Sequence, residues 1–284
     1  MNRYLIQCEP DFVAQVKQQI IDLAITPKLQ VLDYIPVLMP AEAVPQIEIL
    51  PHVIRIVSDK TWGIFLPVDQ KLRRFYDLVK NPLTLPQALS FSLEADKGKK
   101  RVPTSLSRRM IGADIAEAEG ITGKGIRVAV LDTGMDASCL QRLRIISSST
   151  VEGEPHPLDT NGHGTHCLTT AVGKSAWSPW GEMKGVAPEA DVLMVKCLGY
   201  GIGMGWTSGI LRAMMDAFEW RADVISMSLG SEYTEIPVEE IPECRAIEML
   251  SQQGIITVVA NGNSGPAERT VGSPANSPHA LSIG

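Results

Sequence analysis

"IRVAVLDTG", Ile126–Gly134, decides how the chain is read. The run Ile126–Leu131 is nearly all apolar, and a strand with one wet face would alternate instead, so this one is covered on both faces. "DVLMVK" (191–196), "DVISMS" (223–228), "IITVV" (255–259) and "ALSIG" (280–284) repeat the type. Between them, Trp206, Ile210, Met214 and Ala217 recur at helical spacing, as do Ile241, Cys244, Ile247 and Leu250 before a helix-stopping Gly254. Strand–helix alternation predicts an α/β fold, a mainly parallel sheet with helices on both faces. In such sheets ligands bind at the carboxyl ends of the strands, which is where chemistry should be sought.

Asp132 closes the first of these strands. Taken alone, Asp-Thr-Gly reads equally well as a turn. "NGHGTHC" (Asn161–Cys167) follows at a strand-to-helix junction, with His163 at or near the first turn of a helix running to about Val172. The positive end of the helix dipole there disfavours the imidazolium and leaves a neutral, proton-accepting ring. A carboxylate on the far ring nitrogen would fix the tautomer, and Asp132 is suited to that task. Two alternatives stay open. His163, His166 and Cys167 could converge on a metal, although no second Cys/His cluster offers a fourth ligand, or His163 could be structural. His166 itself reads as hydrogen-bonded packing on the inner helix face. Asn263 in "NGNSG" (261–265) is a turn former on its own, and beside Asp132 and His163 it becomes a carboxamide donor for a developing oxyanion.

The N-terminal part follows another pattern. "YLIQC" (4–8), "KLQVLDYIPVLM" (28–39) and "HVIRIVS" (52–58) read as strands. A helix with Phe12, Val13, Val16, Ile20 and Leu23 on one side, and a short one opened by Pro40, lie between them. This small α+β unit ends near Asp59. Prolines and the polar "EADKGKKR" (94–101) then form a protease-accessible linker, dividing the chain into 1–98 and 99–284. Net charge is −6, from 26 basic and 32 acidic residues, so no nucleic-acid footprint is indicated. No apolar run approaches the ~20 residues that span a bilayer. Arg3, Glu9 and Asp11 interrupt the N-terminus, which is no secretory signal. With five cysteines lacking paired spacing, a reducing, cytoplasmic setting is expected rather than a secreted one.

"VAVLDTGMD", "NGHGTHC", "GVAPEADVLMVKCLG", "DVISMSLG", "VVANGNSG" and "TVGSPANSPHALSIG" together resemble the subtilisin-like serine proteases, in order and with plausible gaps, over roughly residues 100–284. "LDTG" alone is also similar to retroviral-type aspartic proteases, but those are all-β. The resemblance implies a serine endopeptidase with His163 as general base, Asp132 as its orienting carboxylate and Asn263 as oxyanion donor. It further implies that Ser228, Leu229, Gly230 and the loop with Gly199, Gly201 and Gly203 flank an extended polypeptide substrate. Gly272 would floor the first specificity pocket, and Ala260–Gly262 would form one wall. The N-terminal unit looks like the family's inhibitory propeptide, a ferredoxin-like prodomain acting as the chain's own intramolecular inhibitor. Cys167 would sit beneath the histidine as a heavy-metal target, or else pack in the core. No cofactor is implied for the chemistry. Structural calcium is common in the family, though its ligands cannot be assigned to residues here. The nucleophile's Gly-Thr-Ser-Met-Ala-like stretch would follow Gly284, so the sheet reads as incomplete at the C-terminus and this chain alone as inactive. The alternatives are a non-catalytic peptide-binding protein and, further off, a metal-dependent hydrolase using His163 and His166.

Overall fold

The computed structural model describes residues 1–28, 30–63, 104–137, 139, 145–178 and 181–284. The expected linker and the 98/99 division lie outside the described residues. The N-terminal unit consists of β1 (Asn2–Cys8), α1 (Val13–Asp22), β2 (Tyr34–Met39), α2 (Val44–Glu48) and β3 (Val53–Ser58). Its sheet is antiparallel throughout, in the order β2-β1-β3. Alternation along β1 divides its side chains between two cores. Ile6 and Cys8 pack with Val13, Val16 and Ile20 of α1, whereas Leu5 enters the core of the larger unit. The expected strand over 28–39 is broken, because Leu32 takes φ 55° and a tight turn folds Val31 back onto Tyr34. A further bridge joins Pro27 to Val37. Pro27 and Val31 thus lie along β2, and the three strands keep the order β2-β1-β3.

After β4 (Thr61–Gly63), the description resumes at α3 (Thr104–Met110) and α4 (Ala113–Ala118). Sequence periodicity misses this pair, since Leu106, Met110, Ile111 and Ile115 stay exposed and form no core face. Buried Arg108 ties them down instead, donating to the Gly185 carbonyl and, at 2.5 Å, to Glu117.

The larger unit then runs β5 (Arg127–Asp132), β6 (Ile145–Ser149), α5 (His163–Val172), the hairpin β7 (Ala176–Ser178) and β8 (Gly181–Met183), β9 (Asp191–Lys196) and β10 (Met204–Trp206). It continues with α6 (Thr207–Glu219), β11 (Val224–Met227), α7 (Pro242–Gln252), β12 (Ile256–Ala260) and β13 (Leu281–Ile283). Six strands form one parallel sheet in the order β13-β12-β11-β5-β9-β6, confirming the α/β reading. Along β5, Ala129 and Leu131 face the cluster holding Ile210, Met214 and Ile247 of α6 and α7. Val128 and Val130 face Leu168 and Val172 of α5 on the other side. Both faces being covered explains why the strand sequence does not alternate. Trp206 is no part of the helical face expected for it. It is extended, at φ −99° and ψ 152°, because β10 pairs there with β4. Among the described residues, no helix is long and apolar enough to cross a membrane.

Candidate functional site

Asp132 is the last residue of β5 and is fully buried at the carboxyl edge of the sheet. His163 is the first residue of α5, entered through Gly162 at φ 100°, a backbone that strains any L side chain. What holds strand end and helix start together is a close backbone approach at Gly164. A β-carbon there would stand 2.4 Å from the Gly134 carbonyl oxygen, so only glycine lets the helix sit this near the turn. Thr133 fastens the junction: its hydroxyl accepts from the Gly164 N–H at 2.7 Å and donates to Asp159 at 2.9 Å. Asp159 in turn accepts the N–H groups of Asn161 (2.9 Å), Gly162 (2.8 Å) and Thr165 (2.9 Å), and the Thr165 hydroxyl at 2.6 Å. Its carboxylate therefore satisfies helix-start donors that Gly162, lacking a side chain, cannot. The sequence reading passed over Asp159, although an acid four residues before a helix-opening histidine is a capping signal.

The geometry brings His163 Nδ1 to 2.7 Å from Asp132 Oδ1, which also accepts the Thr133 N–H at 2.7 Å. With Nδ1–H given to the carboxylate, a neutral ring presents Nε2 as its proton acceptor. Burial alone would lower the pKa of His163, but the hydrogen bond and charge of Asp132, with a contribution from Cys167, raise it to about 10. The helix dipole and the carboxylate thus act on this ring in opposite directions. A carboxylate in direct contact outweighs the partial charge of a helix end.

Cys167 lies half-buried one turn along, its Sγ 3.7 Å from His163 Nδ1 and 4.0 Å from Nε2. Burial pushes this thiol up, and the neighbouring His163 and His166 pull it below its ordinary value. His166 is exposed, contrary to the packing role expected for it. The inner face of α5 is made by Gly164, Leu168 and Val172. Among the described residues, the grouped ligating atoms belong to Asp132, His163 and Cys167, within 4.8 Å of one another, and His166 is outside the set. A thiol and an imidazole in that set do not suit calcium, which takes six or more oxygens.

The remaining residues named from the sequence lie along the same edge. Asn263 follows β12, which runs parallel to β5 with β11 between them, so it leaves the sheet at the same end as Asp132. Ala260 ends β12, and Gly262 turns the chain at φ 98°. Gly272 is buried so closely under Ser231 that a β-carbon would fall 1.7 Å from its carbonyl oxygen. Ser228, Leu229 and Gly230 continue β11, and Gly230 exchanges backbone hydrogen bonds with Gly63 at 3.2 and 3.3 Å. The loop 199–203 does not itself pair as a strand. Gly201 and Gly203 sit at φ 67° and 71°, the Gly203 N–H returns to the Gly199 carbonyl at 3.0 Å, and Asn161 Nδ2 donates to the Gly201 carbonyl at 3.0 Å. The pairing edge is the next segment, β10, whose antiparallel partner is β4. A strand of the N-terminal segment thus lies between β10 and Gly230, a groove that sequence reading assigned to a substrate. Three-residue strands such as these carry too few positions to show a period.

Below the edge, the buried ammonium of Lys196, level with Asp132 in the register of β9 against β5, pairs with Glu154 at 2.6 Å and donates to the Leu158 carbonyl at 2.8 Å. This anchors the 150–158 segment beside the site.

Residues 123–284 match the subtilase family. The chain is similar to serine protease AprX of Bacillus subtilis (strain 168), 36% identical over 183 residues that make up 60% of this chain and 40% of that protein. It is 37% identical over 185 residues to alkaline elastase YaB of Bacillus sp. (strain YaB), covering 64% of this chain and 45% of the relative. Subtilisin Savinase of Lederbergia lenta is 35% identical over 185 residues, covering 64% and 63%. The chain therefore spans about half the length of these curated relatives.

Proposed function

Because the chain belongs to the subtilase family of proteases, we propose that it carries the base, the base's carboxylate partner and the substrate groove of a serine endopeptidase. The observation that carries this reading is the 2.7 Å contact between His163 Nδ1 and the buried Asp132 carboxylate. His163 Nε2 takes the proton of a serine hydroxyl as it attacks a peptide carbonyl, and Asp132 stabilises the imidazolium so formed. The Asn263 carboxamide donates to the oxyanion, alongside the serine's own N–H. The family's nucleophile lies in a Gly-Thr-Ser-Met-Ala-like stretch that residues 1–284 do not contain, so these residues supply the base, its carboxylate and the oxyanion amide but not the nucleophile. The N-terminal unit is the intramolecular inhibitor. Its β4 strand occupies the groove in antiparallel pairing, as an extended polypeptide would, which supports polypeptide substrates recognised largely through their backbone.

The test compares 1–284 with the chain extended by a segment carrying the nucleophile stretch, both assayed on an unstructured peptide. The extended protein should turn over, and lose turnover to a serine-directed phosphonylating reagent and to His163→Ala. Turnover that survives His163→Ala but stops with a chelator would replace this mechanism with a metal-based one. Peptide binding without turnover in the extended protein would favour a non-catalytic binding protein.

A further inference from the structure

Trp62, the middle residue of β4, is buried in the seam between the two units. Its indole N–H donates to Thr207 Oγ1 at 2.5 Å, and the Thr207 N–H donates to the Lys60 carbonyl at 2.8 Å. Trp62 belongs to the same buried apolar cluster as Leu229, Ile241, Cys244 and Ile247. One group there is out of character. Glu243, the second residue of α7, is 0% exposed, and neither of its carboxylate oxygens makes a hydrogen bond of acceptable geometry. Thr207 touches both sides of the problem, accepting the indole N–H and standing next to the Glu243 carboxyl. Burial pushes Glu243 up to about 8, with Thr207 and its own backbone N–H pulling down, Asp59 pushing up and Lys60 pulling down. Both charged groups that act on it, Asp59 and Lys60, belong to the N-terminal segment.

A buried carboxyl without a partner is costly, and a leucine would fill this position without the cost. In the packed seam Thr207 and the backbone N–H favour its charged form, and burial outweighs them. A peptide laid on β10 and Gly230 in the register of Thr61–Gly63 would put a side chain where Trp62 sits. Because neighbouring residues of a strand face opposite ways, only one side chain of so short a paired segment reaches it. We propose that Glu243, reached through Thr207 from the space filled by Trp62, makes this position of the groove select a cationic side chain, arginine or lysine. The proposal rests on the endopeptidase reading and names the substrate feature recognised. A guanidinium or ammonium entering there supplies the partner the carboxylate lacks and keeps it ionised; a leucine of similar reach leaves it unpaired.

Two measurements test this. In the extended protease freed of its N-terminal unit, peptides varied one position at a time should show a single position where arginine or lysine exceeds leucine by about tenfold or more in kcat/KM. Glu243→Leu should abolish that preference and leave the other positions unchanged. Cleavage with no basic preference sensitive to Glu243→Leu overturns the proposal. The second measurement needs no catalysis. In the 1–284 chain, Trp62→Arg and Trp62→Leu are each made with Glu243 present and with Glu243→Leu, and unfolding is followed in denaturant. Trp62→Arg should be the better tolerated with Glu243 and the worse without it, a coupling of about tenfold in the unfolding constant. Additive effects overturn the proposal even if the protein cuts peptides. Coupling in a protein that never cuts them would retire the protease reading and leave a cation-selective peptide groove.

Discussion

Asp132 and Glu243 are both fully buried, one at a strand end and the other in the first turn of a helix. Around Asp132 the fold supplies two N–H donors to one oxygen, from His163 and Thr133, and glycines that let them approach. Around Glu243 it supplies the Thr207 hydroxyl, itself bonded to the Trp62 indole, and the charges of Asp59 and Lys60. Equal removal from water has opposite results. Beside Asp132 a histidine becomes a stronger base, while Glu243 holds its proton to about pH 8. Burial therefore raises the cost of charge at both places, and the partner decides whether that charge is kept. The first arrangement is finished in that one oxygen has its donors within the chain, with Oδ2 left without one, and the second waits on what occupies the groove.

The largest effect that would break the comparison lies at the finished site. In the extended protease, Asp132→Asn should lower kcat/KM by about 10^4, and His163→Ala by at least as much. Losses of tenfold or less would mean the pair does not act on the reaction.

Next comes the unfinished site. Unfolded Glu243 ionises near 4.5 and folded Glu243 near 8, so the folded state binds the extra proton between those values. Wild-type stability should fall as pH rises from 4.5 through 8. Glu243→Gln should remove that fall, ending a few kcal/mol more stable at pH 8 and little changed at pH 4. Parallel stability curves for the two proteins would show that Glu243 finds a partner in solution.

Cys167→Ala sharpens the histidine side. The thiol adds to the rise in His163, so its removal should move the acid limb of the pH–rate profile to lower pH. Mercurials should inactivate the extended protease and lose most of that effect in Cys167→Ala, whereas unchanged inactivation would assign the reactive thiol to another cysteine. The smallest effect belongs to an exposed carboxylate that serves as a control. Glu152 binds Arg3 at 2.6 Å and Lys28 at 2.8 Å across the seam, yet its side chain is 55% exposed. Glu152→Ala should cost less than about 1 kcal/mol by denaturant unfolding, because solvent screens the pair.

Much of the sheet was legible because strands covered on both faces write continuous apolar runs, and Asp132 stands out as the acid ending one of them. The start of α5 was legible through His163 and its glycines. His166 was misplaced because helical position was judged without knowing that Gly164, Leu168 and Val172 face the sheet. Glu243 was illegible for a different reason. It follows Glu239 and Glu240 in an acidic stretch, and the charges that act on it come from Asp59 and Lys60, far away in sequence. Patterns within a segment report its own faces, and they are silent on a seam closed by a strand of three residues.

The ionisation of His163 can be followed directly by NMR of its ring nitrogens in the 1–284 chain across the pH range. The pairing predicts that the imidazolium persists well above the ordinary 6.5 and titrates toward about 10, and that Asp132→Asn brings the transition down. By linkage, the stability it contributes is complete below 6.5 and is lost as pH rises through the folded value. A ring that titrates at or below 6.5, unmoved by Asp132→Asn, would contradict the claim that this buried carboxylate makes His163 the base.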